Sequence, residues 1–336
     1  MIIKTVDLTK HYILRGDGGR RVIVANDHIN IEVPKGEIYG IIGPNGAGKT
    51  TLINLISGLL KPTYGTAYIL GYNIRKVGYK INEICLTSFS GEDNSFTGGF
   101  GRIPAVKALK YLAGMLGVEG NLERRAEDAL KLVGLYEWKN YWPIQFSSGM
   151  LRRLELALLI MYDKPILCLD EPTIHLDPLH AKQFRDVLKF LAKRKGYTIL
   201  LTTQYMDEVK YTCDKISFLK NGKIIFTGTP EEMRKRVPSQ HIFEFITSSL
   251  DQTLEKDIEK ISRVVRVESK SNNDKVKLRV EISDEIGEEE KEKIFSEIIS
   301  ILSEKTKIYR VREREPDLNE AFIALAGEKY DGNKEN

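Results

Sequence analysis

The chain has 336 residues, of which 42% are hydrophobic, and a formal net charge of +4 with both signs interspersed. That length suits about two domains of ordinary size, and the apolar content excludes a disordered or fibrous chain. No lysine-arginine block forms a nucleic-acid arm, so charge gives no reason to expect DNA or RNA as a partner. Cys85, Cys168 and Cys213 are widely spaced and form no C-x-x-C pair, which predicts small buried thiols and not a metal site or disulfide. The opening MIIKTVDLTK reads as a strand and not as a signal peptide. The longest apolar stretch, Leu154–Tyr162, includes Glu155 and falls far short of the roughly 20 residues of a membrane span.

In chain order, Ile2–Leu8, Val22–Ala25 and Ile29–Val33 predict strands, with a turn at Gly16–Gly19. Ile38–Ile42 is an apolar run fit for a buried strand, and it leads through a glycine-rich loop into a helix over Thr51–Leu59. Helical spacing recurs over Ala105–Leu116 and Leu122–Val133, which suggests a small helical subdomain, and again over Leu151–Met161. Then come strand Ile166–Leu169, helix Gln183–Lys193, strand Thr198–Thr202, and Ile216–Leu219 and Ile224–Phe226 about the hairpin turn Asn221-Gly222. This alternation argues for an α/β core with a partly parallel sheet.

After Pro230 the character changes. A short helix Met233–Val237 and a Pro238-Ser239 linker precede strand His241–Ile246, helix Leu254–Ile261, strands Val264–Glu268 and Lys275–Ile282, helix Glu289–Leu302 and strand Ile308–Arg312. That order is the βαββαβ pattern of ferredoxin-like domains. The acidic start Glu288–Glu290 suits a helix N-terminus, and Ile294, Ile298, Ile301 and Leu302 form a core-facing stripe. A last helix spans Leu318–Ala326, and Tyr330–Asn336 reads as a polar tail. The expected domains are therefore 1–238, with a helical subdomain near 92–163, then 239–328 as a C-terminal βαββαβ domain, and 329–336 as tail.

Gly43-Pro44-Asn45-Gly46-Ala47-Gly48-Lys49-Thr50 fits G-x-x-x-x-G-K-[ST] at every fixed position, with a strand before it and a helix after it. Glycines let backbone N–H groups turn toward phosphates without a side-chain clash. Lys49 supplies a positive charge at the β/γ-phosphates, and Thr50 supplies a hydroxyl for Mg²⁺. The helix opening at Thr50-Thr51 aims its positive end at the anion. Ile166–Leu169 ends in Asp170-Glu171. Asp170 is placed to hold the magnesium shell, and Glu171 to act as general base toward an attacking water.

Beyond these motifs the sequence resembles the ATP-binding cassette family of ABC transporters over roughly residues 1–235. Asp170-Glu171-Pro172-Thr173 resembles that family's Walker B end, Ile174–Pro178 its D-loop, and Phe146-Ser147-Ser148-Gly149-Met150 its L-S-G-G-Q signature. Within the family the chain is similar to ATPase subunits of ABC-2-type, daunorubicin-resistance-like exporters, on three features: the signature variant Ser147–Met150, Gly228–Glu232, and the string Glu315–Phe322. The resemblance implies an ABC ATPase fold: a RecA-like core with an antiparallel β subdomain and a helical subdomain, followed by a small ferredoxin-like domain. It implies Mg-ATP shared head to tail between two nucleotide subunits of like or unlike sequence, with Ser147 and Gly149 serving the ATP of the opposite subunit. It implies Tyr12 as the adenine-stacking aromatic and Asp177 as the D-loop carboxylate. It also implies a separate membrane permease, a seat on the cytoplasmic face of the membrane, and Phe96, Phe100 and Ile103 as partly exposed contacts to that permease.

Two positions depart from the family pattern. No glutamine occurs between Thr51 and Pro143, so Ser90 or Gly91 falls where the Q-loop glutamine belongs. Gln204 stands in place of the switch histidine; its amide can donate to a γ-phosphate oxygen but cannot become cationic. The expectation is a working but slow ATPase; the alternatives are a degenerate regulatory partner in a heterodimer and a soluble ABC protein without a transport role. Arg152 and Arg153 read as a solvated helix face, with an interface contact as the alternative. His175 and the other histidines show no metal spacing.

Overall fold

The computed structural model describes all residues except 17–18, 77–80, 82–83, 88–95, 97–98, 163, 175, 237–240, 249–251, 273–274, 284–285, 315–316 and 328–336. Two compact units form, Met1–Pro230 and Glu231–Asn336. The first contains β1 (Ile3–Gly16), β2 (Gly19–Ile29), β3 (Glu32–Val33), β4 (Ile38–Ile42), α1 (Lys49–Ile56), β5 (Tyr64–Ile69), β6 (Tyr72–Asn73), β7 (Cys85–Thr87), α2 (Ala105–Met115), α3 (Leu122–Leu132), α4 (Ser148–Tyr162), β8 (Ile166–Asp170), α5 (Pro178–Lys195), β9 (Thr198–Thr203), α6 (Met206–Thr212), β10 (Lys215–Lys220) and β11 (Lys223–Gly228). The second begins with α7 (Pro230–Arg234) and continues as β12 (His241–Thr247), α8 (Gln252–Glu259), β13 (Val264–Asn272), β14 (Lys275–Ile282), α9 (Glu288–Lys305), β15 (Ile308–Arg314) and α10 (Leu318–Ala326).

The core sheet of the first unit runs β11-β10-β4-β9-β8-β7. All its pairings are parallel except the β10–β11 hairpin. β4, β8 and β9 are buried at every residue, as strands covered on both faces must be, which is why they read as unbroken apolar runs. A second sheet, β2-β1-β5-β6 with β3 on β1, is antiparallel. Its β1–β2 ribbon extends well past Leu8, beyond the strand that the sequence predicts; there exposed Ile13 faces Val22 and Tyr12 faces Ile23 as cross-strand apolar pairs, while Leu14 faces Arg21 and Val24 faces His11. Helix starts also differ from expectation. α5 begins at Pro178 because Asp177 accepts the Leu179 and His180 N–H groups and proline tolerates the first turn.

The second unit has strand order β13-β14-β12-β15 with every neighbour antiparallel, the ferredoxin-like arrangement. Phe243, Phe245, Leu278 and Val280 on the sheet pack on Leu254, Ile258, Ile294, Ile298 and Leu302 of the helices, with Ile301 partly buried against them. The Glu315–Phe322 string is in large part a helix start. Asp317 Oδ1 accepts the Glu320 N–H at 2.9 Å and Glu320 Oε2 accepts the Asp317 N–H at 2.7 Å, a reciprocal capping box. Glu320 also pairs with Arg279 on β14 at 3.2 Å, pinning α10 to the sheet. Glu315 and Pro316 lie outside the described residues.

Candidate functional site

The loop after β4 is held open by glycine. Gly43 has φ 155° and Gly48 φ 103°; a Cβ would fall 2.1 Å from Leu219 O at the first and 2.2 Å from Ala25 O at the second. No other residue fits. Gly46, at φ 76°, is exposed with Asn45, while Ala47 is buried and bonded to Pro44 O and Gly222 N. Asn26 Nδ2 donates to Gly48 O at 3.3 Å from β2.

Lys49 is 5% exposed. Its ammonium curls back over the loop and donates to Gly43 O at 2.9 Å and Pro44 O at 3.2 Å, with Glu171 Oε1 at 3.6 Å. Burial pulls its pKa down, opposed by Glu171 and Asp170. Thr50 Oγ1 donates to Asp170 Oδ2 at 2.9 Å, and Thr202 Oγ1 donates to the other Asp170 oxygen. The register of β8 on β9 sets Asp170 opposite Thr202. Glu171 adopts φ 43°, uncommon for a residue with a side chain. Its N–H is held by Thr202 O at 3.1 Å and Thr202 Oγ1 at 3.0 Å, which supports that backbone. Lys49, Thr50, Asp170 and Glu171 thus converge.

Ser147 does not join them. It is exposed, and its Oγ accepts the Met150 N–H at 3.2 Å at the start of α4, with Gly149 half-buried beside it. Asp177 caps α5 and pairs with His180; the His180 contact, aided by its backbone N–H, holds the Asp177 carboxyl below the usual range. Gln204 is half-buried in the turn between β9 and α6. Tyr12 lies on β1 opposite Ile23, 37% exposed, with Lys10 Nζ 5.3 Å from its ring centre. Thr51 is half-buried in α1. Ser90, Gly91 and His175 lie outside the described residues.

Two expectations are corrected. Phe96 is 1% exposed and so is no docking residue, since a full aromatic ring gains most by burial in its own chain; Phe100 and Ile103 are half-buried. Arg152 and Arg153 are not a solvated face. Arg153 is 9% exposed and donates to Val133 O and Gly134 O, carbonyls at the end of α3 that need donors. Arg152 binds the end of β8. The three thiols are buried, with Cys85 Sγ and Cys168 Sγ 3.2 Å apart on neighbouring strands.

Sequence reasoning missed Thr202, Asn26, Arg152 and Glu208. Thr202 carried one signal, a polar residue ending a buried strand like Asp170. Glu208, on α6, is fully buried, and among the described residues neither carboxylate oxygen has a hydrogen-bond partner. Burial pushes its pKa up to about 7, against weaker pulls from Thr203, Thr173 and Arg185.

A phosphate cradle at the end of a buried parallel strand, with a carboxylate pair two strands away across β9, defines a P-loop nucleotide-binding domain. The "ABC transporter" family model matches residues 26–174. The chain is 32% identical over 234 residues to the probable multidrug ABC transporter ATP-binding protein YbhF of Escherichia coli, covering 69% of this chain but 38% of the length of that relative. It is 33% identical over 235 residues to the bacitracin transport ATP-binding protein BcrA of Bacillus licheniformis, covering 70% and 72%. Among solved structures, cbiO1 of Clostridium perfringens, part of the ABC transporter complex cbiONQ, superposes with a TM-score of 0.59 at 28% identity, over 70% of this chain and 96% of that one. The chain belongs to the ABC transporter family, as one of its ATP-binding proteins. Among the described residues no helix is long and apolar enough to cross a membrane.

Proposed function

We propose that this chain is the ATP-hydrolysing subunit of an ABC exporter, powering a separate membrane permease from the cytoplasmic face of the membrane. The observation that carries this is the convergence of Lys49, Thr50, Asp170 and Glu171 at the end of buried strands. When ATP enters, Lys49 exchanges the Gly43 and Pro44 carbonyls for the β/γ-phosphates, and the N–H groups of Gly46–Thr51 receive the remaining phosphate oxygens. The Thr50 hydroxyl and the Asp170 carboxylate, two hard oxygen donors 2.9 Å apart, fit a Mg²⁺ ion, which supplies charge neutralisation at the phosphates when bound. Glu171 takes the proton of the attacking water, and the Gln204 amide donates to the γ-phosphate.

Ser147 and Gly149 serve the ATP of a second nucleotide subunit in the same head-to-tail dimer, with Asp177 at the junction and Tyr12 stacked on adenine. Phe100 and Ile103 remain the docking residues for the permease. On this reading residues 1–238 are the motor and 239–328 an accessory domain. The relatives named for multidrug and bacitracin transport support a transport role. The test is the ATPase rate of the purified full chain. Glu171→Gln is expected to lower it about 100-fold or more, the cost of losing a general base; an unchanged rate would overturn the reading in favour of a non-hydrolysing partner.

A further inference from the structure

Arg152 opens the second turn of α4, five residues after Ser147, and its guanidinium reaches the turn that ends β8. Nη2 donates to Asp170 O at 2.8 Å and Glu171 O at 3.3 Å, and Nε donates to Pro172 O at 3.2 Å. Nη1 donates to Glu155 Oε2 at 2.8 Å, one turn along α4. The side chain is 13% exposed. Three successive carbonyls of the carboxylate-bearing turn are therefore held by one residue of the signature helix. The arrangement uses the guanidinium's fan of donors, which the single ammonium of lysine cannot reproduce. The turn so held contains the left-handed Glu171, fixed from the opposite side by Thr202. Moving either support re-aims the Glu171 carboxylate.

We propose that Arg152 is a positioning residue that couples the signature of this chain to its own Asp170-Glu171 turn. The inference rests on the reading above, in which Ser147 and Gly149 grip the partner's ATP while Glu171 serves the ATP held by Lys49. Under that geometry Arg152 joins the two ATP sites of the dimer. Closure of α4 on the partner's γ-phosphate is passed through the already anchored Arg152 to the general base at the other site. Arg152 is then the link in this chain through which the filling of one site reaches the general base of the other.

The test compares the purified full chain with Arg152→Lys and Arg152→Met, measuring fluorescent-ATP affinity, kcat, KM and the Hill coefficient for ATP. Both variants are expected to bind ATP within about twofold of wild type, because no Lys49 or P-loop contact is touched. Both lose kcat by about tenfold or more, the scale of a small displacement of a reacting group. The Hill coefficient falls from near two toward one. Arg152→Lys keeps the charge beside Glu155, so a kcat restored by lysine would overturn the inference in favour of a plain ion pair. Wild-type turnover and cooperativity in Arg152→Met would overturn it too, as would ATP affinity and kcat falling together in both variants. A wild-type chain without turnover removes the underlying reading first; wild-type turnover with unaffected variants removes this inference alone.

Discussion

The phosphate loop and the signature turn, which the proposed function joins in one reaction, are built in opposite ways. The loop between β4 and α1 is locked: two glycines admit no side chain, Lys49 is buried, and each of its neighbours is tied to a second strand. The signature turn lies open, with Ser147 exposed and its hydroxyl spent on its own helix. The first can recognise a polyphosphate within one chain. The second has no nucleotide of its own to act on, and its rigidity comes from behind, through Arg152 and Arg153. The contrast fits the proposal above, in which the chain carries one binding half-site and one complementary half-site meant for a second nucleotide subunit.

Substitutions should separate the two halves. Lys49→Ala removes a buried cation, and ATP affinity of the full chain is expected to fall about 100-fold in a fluorescence titration, near the upper range for charged hydrogen bonds. Ser147→Arg blocks the open half. Turnover is expected to fall about 100-fold while single-chain ATP affinity stays within twofold; a matching loss of affinity would break the division.

A third prediction concerns Glu208, buried on α6. The folded state raises the Glu208 carboxyl to about 7 from an ordinary 4.5, so the fold holds that proton more tightly than the unfolded chain does. The stability this contributes is complete below about pH 4.5 and is lost as pH climbs to about 7. Urea unfolding at pH 5 and pH 8 should show wild type losing roughly 1–3 kcal/mol more than E208Q across that window. An equal loss in both proteins would show that the carboxyl is ionised without penalty.

Smallest of all is Tyr12→Ala, expected to weaken ATP affinity two- to tenfold, the worth of one aromatic stack. An unchanged affinity would leave Tyr12 as an ordinary strand residue.

The locked half was legible in the sequence because its chemistry is local. Glycines at fixed spacing, a lysine and a strand ending in two carboxylates are written in consecutive residues. The βαββαβ unit was legible for the same reason, since its apolar periods switch cleanly between strand and helix. What escaped depends on partners far along the chain. Thr202 reaches Asp170 only through the pairing of β8 with β9, and Arg152 reads as a surface charge until the end of β8 lies beneath it. β5, β6 and β7 are short strands whose pattern is weak, and they form against neighbours that sequence does not place. Phe96 misled because a glycine-rich, aromatic loop looks open in sequence, while its ring is buried.

The central claim is that the two halves meet in an ATP-bound dimer. Sedimentation of Glu171→Gln full chain at saturating Mg-ATP tests it most directly, since that variant holds ATP without consuming it. The account predicts a monomer without nucleotide and a dimer with ATP, the dimer being lost on adding Ser147→Arg. A chain that binds ATP with full affinity yet stays monomeric at micromolar concentration and above would contradict it.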